Sequence, residues 1–209
     1  MRLEKLVLAW LTIVAAGCGG SSPASPDTGS GAHDAAVSMD TGSSPASDAG
    51  LDAAPPPPSD AGLGAFENEI LAAHNAVRAS ATPTPSPALA PLGWSSAAAS
   101  TAQAWANGCQ FGHNPSAGYG ENIFASSSAA SGTSVVDDWA SEVASYDYAS
   151  NGCSGTCGHY TQVVWAKSLE LGCAVQQCTT GSPFGSSGAW ELWVCDYSPP
   201  GNFNGQKPY

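Results

Sequence analysis

The sequence predicts an α+β domain held together by disulfides, carried behind an export leader and a long tether. Three observations support this. Six of the seven cysteines lie between Cys109 and Cys195, and an even set in a small exported chain reads as a disulfide framework. Three stretches before Cys153 carry helical signals. Two stretches near the end alternate apolar and polar residues around a Gly/Ser-rich turn, the pattern of an antiparallel hairpin.

In chain order, residues 1–18 form the leader. Arg2 and Lys5 supply a positive start, and Leu6 to Ala16 is an apolar run too short for an ordinary spanning helix. It ends in Val14-Ala15-Ala16-Gly17-Cys18, which resembles a bacterial lipobox. In that reading Cys18 becomes lipid-modified and anchors the chain to an outer membrane or cell surface; the alternative is a plain secretory signal. Residues 19–63 are the tether, rich in Ser, Pro, Ala, Gly and Asp, with four prolines at Pro55 to Pro58 and no Lys or Arg. Such a composition buries too little apolar surface to offset the entropy of ordering. His33 in this segment is read as inert.

The domain spans 64–209. Phe66, Ile70, Leu71 and Val77 recur at helical spacing, with His74 beside them as a hydrogen-bonding histidine. Thr82 to Pro91 holds four prolines and is a loop. Ser95 caps a second helix running to about Asn107, with Trp94 as a staple outside it and Trp105 toward the core. Cys109 to Glu121 reads as irregular. Val135, Val136, Trp139, Ala140 and Val143 mark a third helix, on which Glu142 lies beside the apolar stripe. Leu171, Cys173 and Val175, then Leu192, Val194 and Asp196, each alternate with their neighbours as strands.

Composition excludes some partners. The formal net charge is −12 with five Lys and Arg, so the basic footprint of a nucleic-acid binder is absent. The same balance argues against holding anionic lipid by surface charge. Membrane attachment therefore falls to Cys18 alone.

The stretch CGHYTQVVW from Cys157 to Trp165, with LGCAVQQC after it, resembles the first signature of the CAP superfamily. That superfamily, whose domain is also called SCP, comprises cysteine-rich secretory, antigen 5 and pathogenesis-related class 1 proteins. WVCDYSPPGNFNGQKPY from Trp193 to Tyr209 resembles the second signature. GYGENI from Gly118, AHNAVRA from Ala73 and YDYASNGC from Tyr146 resemble further family elements in the family's order. The resemblance implies a three-layer α–β–α sandwich with a central antiparallel sheet. Spacing leaves fifteen pairings of six cysteines open; the resemblance implies Cys109–Cys178, Cys153–Cys157 and Cys173–Cys195.

The resemblance also implies a cleft with two histidines and two acids, which map to His113, Glu121, Glu142 and His159. Two imidazoles and two carboxylates have two stable uses. His113 and His159 can hold a divalent metal, zinc above all, while Glu121 and Glu142 orient them. Alternatively the four form a polar network without metal, His–Glu pairing offsetting the cost of burial. Three functions compete. The first is a non-catalytic, monomeric extracellular binding module taking a sterol or fatty acid in a groove beside the four residues, as family members do. The second is a metal-dependent hydrolase or protease with Glu as general base. Against it, the chain has no HExxH helix and no GxSxG elbow, and six paired cysteines leave no catalytic thiol. The third is a structural or antagonistic protein that contacts a cell-surface partner from the end of its tether.

Overall fold

The computed structural model describes residues 62–185 and 188–209. The leader, Cys18 and all but the end of the tether lie outside the described residues. The elements in order are α1 (Ala65–Ala79), β1 (Gly93–Trp94), α2 (Ser96–Ala106), β2 (Gly120–Ser126) and α3 (Gly132–Ser141). A 3₁₀ turn (Glu142–Ser145), β3 (Tyr146–Asp147), β4 (Gly152–Cys153), α4 (Gly158–Val163), β5 (Glu170–Cys178) and β6 (Trp190–Ser198) follow.

The alternation along the last two strands builds the layers. β5 and β6 pair antiparallel with Cys173 opposite Cys195, and side chains of period two leave opposite faces. Trp193, Cys195 and Tyr197 enter one core with Ile70 and Leu71 of α1, Val135, Val136 and Trp139 of α3, and Tyr160 and Val163 of α4. Leu192 and Val194 enter a second core with Ala102 and Ala106 of α2, Ile123, Ala174 and Trp190. The sheet thus lies between α1, α3 and α4 on one side and α2 on the other, an α–β–α sandwich.

Its strand order is β1-β5-β6-β2. The main three strands run antiparallel, as expected, but the two-residue β1 pairs parallel with β5, so the sheet is mixed at that edge. The long proline-rich loop after α1 brings the chain back to this edge before α2 begins.

Local chemistry sets the helices. Ile70, Leu71, His74 and Arg78 share the buried face of α1. The Ser95 Oγ accepts from Ala98 N and starts α2, and Ser131 with Ser134 forms a capping box at α3. α2 buries only alanines, Ala98, Ala102 and Ala106, so it lies directly on the sheet. A Cβ on Gly172 of β5 would come within 2.0 Å of Ala99 N; the close approach requires glycine there.

Three sequence expectations change. β2 replaces the end of the stretch read as irregular, because Gly120 to Ser126 pairs in full with β6. α3 ends at Ser141, so Glu142 caps it and opens the 3₁₀ turn rather than lying within the helix; Val143, read as part of the apolar stripe, is 42% exposed. The Glu142 carboxylate is occupied by α4, and the tighter turn delivers the chain to β3. Trp94 belongs to β1, and Trp105 is half-buried beside the second core, its indole donating to Gly112 O at 2.7 Å.

Disulfides join Cys109–Cys178, Cys153–Cys157 and Cys173–Cys195. The first ties the end of α2 to β5, the second ties β4 to the start of α4, and the third staples β5 to β6. The final segment is strapped down: Pro208 O accepts from Ala166 N at 2.7 Å, and the Tyr209 and Tyr148 rings stack at 4.6 Å. No helix among the described residues is long and apolar enough to cross a membrane.

Candidate functional site

The four residues singled out in the sequence form two His–Glu pairs. In the first, His113 Nδ1 lies 2.7 Å from Glu121 Oε1, and Asn114 N donates to the same oxygen at 3.0 Å. In the second, His159 Nδ1 lies 2.6 Å from Glu142 Oε1, while Glu142 Oε2 accepts from His159 N at 2.9 Å and Tyr160 N at 3.1 Å.

The second pair follows from helix-end chemistry. The first amides of α4 have no partner within the helix, and Glu142 reaches across from the end of α3 to accept two of them. The same carboxylate then meets the histidine one residue inside that helix. Trp139 stacks on the His159 ring at 6.0 Å and closes its far side.

The first pair is more open. His113 lies on a loop with 46% of its side chain exposed, whereas the Glu121 side chain is 6% exposed. The edge strand β2 carries Glu121 of the first pair and reaches the second through Asn122. Glu121 leaves β2 on one face; Asn122 leaves on the other and donates to His159 O at 3.1 Å. Asn122 also donates to Tyr197 Oη at 3.0 Å, and Tyr197 Oη lies 2.7 Å from His74 Nε2. His74 donates through Nδ1 to Ile70 O at 2.7 Å, so its Nε2 accepts from Tyr197. Burial lowers the His74 pKa to about 4, and this histidine is a neutral core group, as its sequence position suggested.

A ring whose Nδ1–H is given to a carboxylate carries its lone pair on Nε2. That is the tautomer a metal-binding imidazole needs, with the carboxylate as its outer partner. Among the described residues, no group of three or more His, Cys, Asp and Glu side chains stands around one point. The donor set for an ion is therefore two imidazoles at most, with the remaining ligands from elsewhere.

Sequence reading passed over Asp196 as a functional group. It lies directly opposite Glu121 in the β2–β6 register, it is fully buried, and neither of its oxygens has a hydrogen-bond partner. The signal was present: an acid in the same alternating set as Leu192 and Val194, which face the second core.

Two concavities lie away from these residues. One, of ≈ 390 Å³, lies between α1, α2 and β5, and its wall mixes Phe66, Trp94 and Val175 with Glu67, Ser100 and Gln103. The second, of ≈ 290 Å³, lies beneath the C-terminal segment beside Tyr146, Trp165 and Phe203.

A disulfide-bonded α–β–α sandwich with two His–Glu pairs beside its sheet is the class of domain that the fold and site define. The family model described as "CAP: Cysteine-rich secretory protein family" matches residues 71–197, and the chain belongs to that family. It is 38% identical over 148 residues to glioma pathogenesis-related protein 1 of Mus musculus, covering 66% of this chain and 54% of the relative. It is 42% identical over 123 residues to pathogenesis-related protein 1 of Arabidopsis thaliana, covering 57% and 71%. The chain thus spans little more than half of the mouse relative's length.

Among solved structures, venom allergen-like protein 4 of Schistosoma mansoni matches with a TM-score of 0.57 and 25% identity over 70% of this chain and 95% of the other. The crystal structure of NaASP2 with Zn2+ matches with a TM-score of 0.57 and 27% identity over 72% and 88%.

Proposed function

We propose that this is an exported, non-catalytic binding domain in which His113 and His159 present their Nε2 atoms to a divalent cation. The observation that carries this is the doubled arrangement, Nδ1 to carboxylate at 2.7 and 2.6 Å. Two carboxylates that hold imidazoles in one tautomer are the outer shell of a metal site. Imidazole ligands favour zinc over magnesium or calcium, and the similar NaASP2 structure is one with Zn2+. Once bound, such an ion supplies a fixed positive charge that an anionic group of a ligand could meet. Glu142 already accepts three donors, which suits an orienting group better than a general base.

The test is zinc content of the purified protein by elemental mass spectrometry. Stoichiometric zinc in the native protein, lost in His113→Ala/His159→Ala, supports the site. Native protein that stays metal-free after incubation with zinc returns the four residues to a structural network.

A second reading rests on the groove between α1, α2 and β5. Its ≈ 390 Å³ is ligand-sized, and its mixed wall would set Phe66, Trp94 and Val175 against the apolar body of a sterol or fatty acid and Glu67, Ser100 and Gln103 beside its polar end. Delipidated protein should regain such a ligand, and Ala99→Trp should block it. Failure of every apolar ligand tested ends this reading.

The same proposal places the domain at a membrane surface through a lipid-modified Cys18, from which the tether would present it to a cell-surface partner. Wild-type protein should then fractionate with membranes, and Cys18→Ser should be soluble. A wild type that is already fully soluble removes the anchor.

A further inference from the structure

We propose that Asp196 is a positioning residue of the first pair: a neutral carboxylic acid whose O–H is directed at Glu121 Oε2, directly or through one water. This rests on the reading of His113 as a cation ligand only for its functional consequence. The geometry stands without it.

Two buried acids lie on one strand, β6. Glu191 of β6 is 6% exposed, yet its carboxylate is fully occupied. Its Oε2 accepts from Ala130 N and Trp193 Nε1, each at 3.0 Å, and its Oε1 accepts from Gln177 Nε2 at 2.6 Å. Asp196, five residues on, has no exposure and no donor for either oxygen. A buried carboxylate without partners carries a penalty that proteins commonly avoid by keeping the proton.

A retained proton needs an acceptor, and the register supplies one. Directly opposed residues of an antiparallel pair project from the same face with Cβ atoms about 5 Å apart. Glu121 is the residue opposite Asp196, and its Oε2 is the other buried carboxyl oxygen without a partner. Among the described residues, the elements packed against this face offer no competing acceptor from a titratable side chain. α2, which packs over this face, has no titratable side chain. β5 opposes Asp196 with Gly172. Tyr197, next on β6, projects from the opposite face toward Asn122. Burial first, and the Glu121 charge second, push the Asp196 pKa up to about 7.

The consequence is a symmetry between the two pairs. Glu142 is oriented by three donors: a ring N–H and two amides. Glu121 has a ring N–H and one amide, both on Oε1. The Asp196 O–H is the third donor and fixes the free arm. Glu121 then holds the His113 ring in the Nδ1–H tautomer, with Nε2 as the ligating nitrogen.

The experiment is carbon and nitrogen NMR on the metal-free, full-length exported protein, with Asp196→Asn and Asp196→Val. In wild type, the Asp196 carboxyl carbon should titrate near pH 7. Asp196→Asn keeps a donor toward Glu121 and should preserve the wild-type ring nitrogen shifts of His113. Asp196→Val removes it and should shift His113 toward mixed tautomers, with zinc affinity down about tenfold, the lower range for losing an outer partner. An Asp196 carbon that is ionised at pH 5 overturns the proposal, as does an unchanged His113 tautomer in Asp196→Val. If wild type binds no zinc, the metal reading fails, while the carboxyl and ring signals still decide the role of Asp196.

Discussion

Glu142 and His159 are joined twice: the carboxylate accepts the histidine's ring N–H through Oε1 and its backbone amide through Oε2. One side chain thus sets both the start of α4 and the tautomer of the ring that α4 carries. The coupling means that the site cannot be perturbed at Glu142 without loosening the local fold.

Glu142→Gln tests that coupling. A carboxamide has one acceptor oxygen, and its NH₂ would face a donor. We expect a loss of about 2 kcal/mol, the scale of a hydrogen bond to a charged group, read from urea denaturation. The His159 ring nitrogen shifts should move in the same variant. An unchanged denaturation midpoint would show that water replaces the carboxylate at the helix end.

The pH dependence of stability contains two opposed contributions. The His74 pKa falls from 6.5 unfolded to about 4 folded, so its contribution is complete above about pH 6.5 and is lost as pH falls toward 4. The Asp196 pKa rises from 3.8 to about 7, so its contribution is complete below 3.8 and is lost as pH rises through 7. Across their shared window the two slopes oppose each other. Asp196→Asn removes the second and should leave stability that climbs from pH 4 to 6.5, measured by denaturant midpoints at each pH. A profile that stays as flat as wild type would contradict the burial assigned to Asp196.

Gly172→Ala tests the contact between α2 and the sheet. The new Cβ would meet Ala99 N at 2.0 Å and Ala98 C at 2.6 Å, backbone atoms that cannot turn aside. The expected cost is about 3 kcal/mol, the upper range for overpacking. Gly158→Ala is the control, since nothing lies within 4 Å of its added carbon. It should keep the thermal midpoint or raise it slightly, and calorimetry distinguishes the two.

Arg78→Lys tests a buried cation held only by carbonyls. The guanidinium donates to Ala90 O, Val163 O, Trp165 O and Ser168 O. An ammonium has three donors from one atom and cannot span them. Carbonyls left buried without donors should cost about 3 kcal/mol, visible as a lower chemical-denaturation midpoint with an unchanged slope.

Legibility differed between the fold and the site for a physical reason. The hairpin was readable because β5 and β6 alternate strictly, and α2 because Ser95 and a run of alanines mark a helix. β2 was missed because Gly120, Glu121 and Asn122 give no apolar alternation; its pairing comes from β6, distant in sequence. The end of α3 was misplaced because Glu142 has good helix propensity, and only its contact with α4 shows why the chain tightens there. Asp196 was legible as a misplaced charge, but nothing local could show which group lay opposite.

The sequence by itself determined the disulfide-bonded class, the helical and hairpin segments, and the residue types in the two pairs. These depend on composition and on spacing within single segments. Tertiary structure alone decided that His113 meets Glu121 and His159 meets Glu142, and that Asp196 shares a face with Glu121. Each joins segments through register or helix-end hydrogen bonds, and those interactions exist only once distant backbone groups are brought within about 3 Å of one another.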